Sequence, residues 1–163
     1  MLAAMTDQMG ESLRGRLQAD LTAAMRARDE VRTATLRMAL TAVTTESVAG
    51  AAARELDDEE VTAVLVREAK RRRESAEVFD GAGRADLADR ERAELAVLET
   101  YLPAAMSDGE LASIVADAVA EARAHGAEGP KAMGAVMRIL RPKVGASAEG
   151  GRVAAEVRRQ LGL

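Results

Sequence analysis

At 163 residues, 48% hydrophobic and 31% charged, with a formal net charge of -4, the chain has an ordinary globular composition and room for one modest domain or two small ones. Phe79 and Tyr101 are its only aromatic residues, which argues against a β-sandwich or barrel, while the wealth of Ala, Leu, Glu and Arg predicts an all-α protein. The absence of Cys excludes disulfides, thiolate nucleophiles and cysteine-based zinc sites, and fits a cytoplasmic location.

The start, Met1 to Gly10, has no basic segment leading into an apolar one, so it does not read as a signal peptide. It is expected to be a flexible extension covering residues 1–11, with Met5 and Met9 as alternative starts. Leu13, Leu17, Leu21, Ala24 and Met25 then recur at helical spacing and predict a first helix from Ser12 to Arg28. Asp29 caps a second, with Val31, Thr35, Met38 and Ala42 as its apolar positions, which fades into the small residues Ser47 to Ala53. Asp57 with Glu60 three residues on predicts a capping box, and Asp58 and Glu59 suit the positive end of the helix dipole. The third helix carries Val61, Leu65, Ala69, Ala76 and Phe79, and ends at Gly81 and Gly83. A fourth places Leu87, Leu95, Leu98 and Leu102 on one stripe and stops at Pro103, which has no amide proton to continue the ladder.

The best domain boundary lies at Leu102 to Ser107, dividing a four-helix domain, 12–103, from a three-helix domain, 104–163. Ser107 and Glu110 form a second capping box, with Met106 and Leu111 as its hydrophobic staple. The fifth helix lines up Leu111, Ile114, Val115, Ala118, Val119 and Ala122 before Gly126. Gly129-Pro130 opens a sixth with proline at its preferred first position; Met133, Val136, Met137 and Leu140 face inward, and Pro142 limits its length. Val153, Val157 and Leu161 make a short terminal helix. No apolar stretch approaches a membrane span.

Catalytic chemistry is hard to find. His125, the only histidine, sits at the end of the fifth helix, where the dipole and the last carbonyls explain it. One His and no Cys leave no ordinary zinc site, and no cofactor is implied. Gly81-Ala82-Gly83 follows a helix rather than a strand and lacks the third glycine of a phosphate cradle. Gly145-Ala146-Ser147-Ala148-Glu149 lacks the final glycine of a nucleophile elbow. Helix capping explains Asp57 to Glu60, and an exposed helix face explains Glu91 and Glu94. No catalytic residue is assigned.

Two basic clusters remain. Arg67, Lys70, Arg71, Arg72 and Arg73 lie within a turn of Glu68, Glu74 and Glu77, so i,i+4 ion pairs dilute their field. From Gly129 to Leu163, seven basic residues face two acids, whereas Met1 to Pro103 carries 15 against 20. A basic tail on an acidic body points to an anionic partner, the alternative being a solvated helix face. Gly134 costs about 1 kcal/mol against alanine in mid-helix. Either another helix or loop packs closely on it, or a polyanion backbone approaches it while Lys131, Arg138, Arg141, Lys143 and Arg152 offer neutralising charge. With so few aromatics, base stacking is disfavoured and contact with a folded RNA's backbone and shape is favoured.

The chain resembles the GatB/YqeY family from Ser12 to the C-terminus. The resemblance rests on Thr35-Leu36-Arg37-Met38, on Glu68 to Ser75, on Phe79 through Ala88, on Glu99-Thr100-Tyr101-Leu102-Pro103, on Met133 to Met137 and on Arg141-Pro142-Lys143-Val144. It implies an all-α fold with a helical N-terminal domain and a three-helix C-terminal domain. The latter is similar to the tail of the tRNA-dependent amidotransferase B subunit, which helps hold tRNA while other domains do the chemistry. One departure stands out: Gly145 and Ser147 occupy turn positions where the family commonly has lysines, and losing two cations weakens a phosphate site.

The leading expectation is therefore a non-catalytic accessory protein binding tRNA or a tRNA-handling complex, with no metal and no membrane. The main alternative is a helical protein–protein interaction module using Met133 and Met137. A third class, carbon–nitrogen ligase activity with glutamine as amido-N donor, is associated with the family and would need an amidase centre and an ATP site that no residue pattern here supplies.

Overall fold

A computed structural model describes residues 11–163, and among them all regular structure is α-helical. Apart from Glu11, the extension expected over 1–11, with the candidate starts Met5 and Met9, lies outside the described residues. Seven helices follow in order: α1 Leu13–Ala27, α2 Glu30–Ser47, α3 Asp58–Gly81, α4 Ala85–Glu99, α5 Asp108–Ala124, α6 Pro130–Val144 and α7 Gly150–Leu161. Two compact units result, one ending at Leu102 and the other spanning Pro103–Leu163, each with its own core.

Local chemistry sets the helix ends. Ser12 caps α1 by accepting from the Gly15 amide, and Arg28 closes it in the left-handed conformation at φ 56°. Asp57 Oδ1 accepts from the Glu60 amide at 2.9 Å while the Glu60 carboxylate accepts from the Asp57 amide at 3.0 Å, a complete capping box. Arg54 also binds this carboxylate, and the Arg54 hydrogen bonds hold Glu60 down to a pKa of about 2. Ser107 and Glu110 repeat the device at α5, with Met106 packed against the core that holds Leu111.

In the first unit α2 packs on α1, α3 and α4, and α3 lies along α4. Leu17, Leu36, Val43, Val61, Leu65 and Leu98 are almost wholly buried there. The core stripe of α2 is Thr35, Leu36, Ala39 and Val43, with Ala42 packed half-buried against it, so of the expected Val31, Thr35, Met38 and Ala42 only Val31 and Met38 fall off the core face. Val31 and Met38 are exposed, and so is Met25 on α1. Thr35 can be buried because its hydroxyl donates to the Val31 carbonyl at 2.8 Å.

Glu94 also departs from expectation. It is buried rather than on an exposed face, because Arg72, itself only 3% exposed, reaches it from α3 at 3.4 Å. Arg72 Nε lies within charge-contact distance of Glu94 but without hydrogen-bond alignment, while Arg72 Nη1 donates to Glu68 at 2.9 Å. Helix α4 ends at Glu99, four residues short of Pro103, where the Thr100 hydroxyl donates to the Val97 carbonyl. Just beyond, the buried Tyr101 hydroxyl donates to Asp20 at 2.5 Å and accepts from Arg32 at 3.0 Å, with Arg16 over the ring. Burial first, and then the bond to Asp20, push its pKa up to about 12.

In the second unit α5 packs on α6 and α7, and α6 on α7. Leu111, Val115 and Ala118 meet Val136, Leu140, Val153 and Val157 in its core. His125 caps α5, its Nδ1 lying 2.8 Å from the Glu121 carbonyl. No described helix is long and apolar enough to cross a membrane.

Candidate functional site

Helix α6 buries Ala132, Val136, Leu140 and Val144, a stripe repeating every four residues that presses one side onto the core. Opposite it, Lys131, Gly134, Arg138 and Arg141 follow one another at separations of three, four and three residues, which is the spacing of a single helix face. All four are exposed. From Lys131 to Arg141 the face runs about 15 Å along the axis. None of the three cations forms an ion pair among the described residues.

The start of α6 adds to the positive field. Pro130 occupies the first turn, no acidic residue accompanies it, and Lys131 stands at the end where the helix dipole is itself positive. An isolated helix gains nothing from that arrangement, whereas a bound anion does.

Gly134 stands in the middle of this face. A Cβ built there would meet nothing within 4 Å, so no helix or loop of the described chain packs closely on it. Its backbone φ does not require glycine either, no positive value being found there. The result is a notch between Lys131 and Arg138 through which an outside molecule can approach the helix backbone.

The other two expected tail cations are committed elsewhere. Lys143 lies on a different side of α6 and binds Glu121 of α5 at 3.3 Å. Arg152 in the first turn of α7 donates to Asp108 Oδ1 at 2.7 Å and to the Met106 carbonyl at 3.0 Å, tying α7 to the start of α5. In the turn between α6 and α7, Gly145 has φ 51° and ψ -127°, a conformation that suits glycine and strains a side chain. Ser147 holds the turn down, its carbonyl accepting from the Met106 amide at 2.7 Å.

The cluster on α3 is differently placed. Arg67 meets Glu46 of α2 at 2.7 Å, Arg73 meets Glu99 at 3.2 Å, Arg71 approaches Glu68 at 3.8 Å, Lys70 approaches Glu74 at 3.9 Å, and Arg72 is buried between Glu68 and Glu94. Only some of these are the i,i+4 pairs that sequence suggests; Glu46, Glu94 and Glu99 come from other helices or the end of one.

Met133 and Met137 pack half-buried against the second unit's own core. The large exposed apolar side chains lie elsewhere, at Met25, Val31, Met38, Val48, Val78 and Leu163. Among the described residues no group of three His, Cys, Asp or Glu is placed to hold a metal ion.

No curated protein matches the chain significantly. A family model described as Yqey-like protein matches residues 14–161, from the second residue of α1 to the last of α7. Over nearly its whole described length, then, the chain belongs to the YqeY-like family.

Proposed function

We propose that this protein is a non-catalytic accessory factor that binds the phosphate backbone of a folded RNA through the exposed face of α6. The observation that carries the reading is the grouping of Lys131, Arg138 and Arg141, unpaired within the described chain, around an exposed glycine. Arg and Lys so placed neutralise phosphates and release counterions. The scarcity of aromatics favours recognition of backbone and shape over stacked bases.

Likeness to the amidotransferase B-subunit tail makes tRNA, free or within a tRNA-handling complex, the preferred RNA, and a cytoplasmic setting follows from that partner. In this reading 104–163 is the RNA-binding domain and 12–103 a helical domain of its own. Lys131, Gly134, Arg138 and Arg141 form the primary contact. Lys143 and Arg152 lend charge only if Glu121 and Asp108 release them, and the α3 cluster, expected as a secondary basic patch, takes no part because each of its cations lies beside a carboxylate. The packing of Met133 and Met137 against their own core weighs against α6 as an apolar docking helix. No glutamine-dependent ligase step is assigned to the chain.

The test is binding of the purified protein to a mixed tRNA pool at low and at physiological ionic strength. Saturable binding that weakens steeply with salt is the expected result. No binding even at low salt, or co-purifying protein partners that survive ribonuclease while RNA is ignored, contradicts the proposal.

A further inference from the structure

Between α2 and α3 lies a groove of about 480 Å³, a volume in the range of small-molecule sites. Its apolar lining is Met38, Ala42 and Val64: Met38 is 48% exposed, while Ala42 is half-buried against the first unit's core and Val64 is part of that core, forming the bottom of the groove.

The groove's charges do not balance. Glu46 is taken by Arg67 at 2.7 Å, and Glu68 by the buried Arg72 at 2.9 Å. Arg37 forms no ion pair among the described residues, its guanidinium approaching only the Met25 sulfur at 3.7 Å. Arg71, 74% exposed, has only the already engaged Glu68, at 3.8 Å. Two guanidinium groups with spare donors therefore flank an apolar floor. A guanidinium is suited to bidentate binding of a carboxylate, and an exposed methionine to an alkyl chain.

We propose that the α2–α3 groove is a binding site for a small amphipathic carboxylate, with the alkyl chain on Met38, Ala42 and Val64 and the carboxylate held by Arg37 and Arg71. The site is separate from the α6 face and does not depend on RNA binding.

Decanoate, kept below its micelle concentration, is the probe, read by the Met38 methyl resonance of the full chain and by calorimetry. Decanol tests the need for charge, and acetate the need for the chain. The expected result is a saturable Met38 shift with decanoate, and binding weaker by about tenfold or more for decanol, for acetate and for the Arg37→Gln/Arg71→Gln double variant. Thr41→Glu, which sets a competing carboxylate one turn from Arg37 in the groove wall, should block binding while leaving the helical circular dichroism unchanged. An unmoved Met38 signal, equal binding of decanol, or full binding by the folded double variant overturns the proposal.

Discussion

Helix α3 and helix α6 both carry arginine and lysine in abundance, and the protein uses them in opposite ways. Along α3, each cation from Arg67 to Arg73 has a carboxylate between 2.7 and 3.9 Å away. On α6, Lys131, Arg138 and Arg141 have none among the described residues. The difference follows from supply. The N-terminal region holds more acids than bases, and the α3 cations find partners on their own and neighbouring helices, whereas from Gly129 onward two acids face seven bases. A count of basic residues therefore does not locate an anion site; the count of basic residues left without a partner does.

Arg72→Ala offers the sharpest way to break this contrast. If the α3 cluster is structural, removing Arg72 leaves the buried Glu94 with only the exposed Arg90 at 3.4 Å and the partly buried Glu68 with only Arg71 at 3.8 Å, and stability falls by about 3 kcal/mol in chemical denaturation. RNA affinity, measured on the protein that remains folded, should not change. A mild effect on stability with lost RNA binding would reverse the roles assigned to the two helices.

Tyr101 tests how firmly other cations of the first unit are engaged. Its hydroxyl is bound to Asp20 and Arg32, and its pKa is raised to about 12. A raised pKa on a group that loses a proton means the stabilisation is complete below the unfolded value of about 10 and is lost as pH climbs through about 12. Because the chain has one Tyr and no Trp, the tyrosinate absorbance reports this group alone. Native protein should titrate well above the denatured chain, and Asp20→Asn should bring the two curves closer.

Gly134→Ala has a smaller effect but one with two signs. With nothing within 4 Å of the added methyl, helix propensity should raise stability by about 1 kcal/mol. The same methyl fills the notch on the α6 face, so RNA binding should weaken. Greater stability with unchanged RNA affinity would return Gly134 to a neutral surface position. Smallest of all, Arg67→Ala and Arg73→Ala remove exposed ion pairs worth about 0–1 kcal/mol each and should leave RNA binding as it was.

Much of the helical framework was legible in the sequence because its signals are local. Asp57 with Glu60, Ser107 with Glu110, Pro130 at a helix start and His125 at a helix end each act within one turn, and each stands where it was expected. The core face of α2 was harder to read. Val31, Leu36, Met38, Ala39, Ala42 and Val43 spread apolar character over much of that helix, and only the packing of α1, α3 and α4 decides which stripe is covered. Long-range pairing was out of reach altogether. Nothing near Glu94 in sequence reveals that Arg72 will bury it, and nothing near Lys143 or Arg152 reveals that Glu121 and Asp108 will engage them. For the candidate site, the charge asymmetry was readable, but the division of the five candidate cations, Lys131, Arg138, Arg141, Lys143 and Arg152, into three bare and two committed ones required the packing of α5, α6 and α7.

The most direct test of the α6 face is the salt dependence of tRNA binding for the unaltered chain and for the Lys131→Ala/Arg138→Ala/Arg141→Ala variant. Three lost phosphate contacts should reduce the slope of log affinity against log salt by about 2 to 3 and weaken binding at low salt, with the helical content and denaturation midpoint retained. An unchanged slope with undiminished affinity would show that these three cations do not hold the RNA, and the central claim would fall.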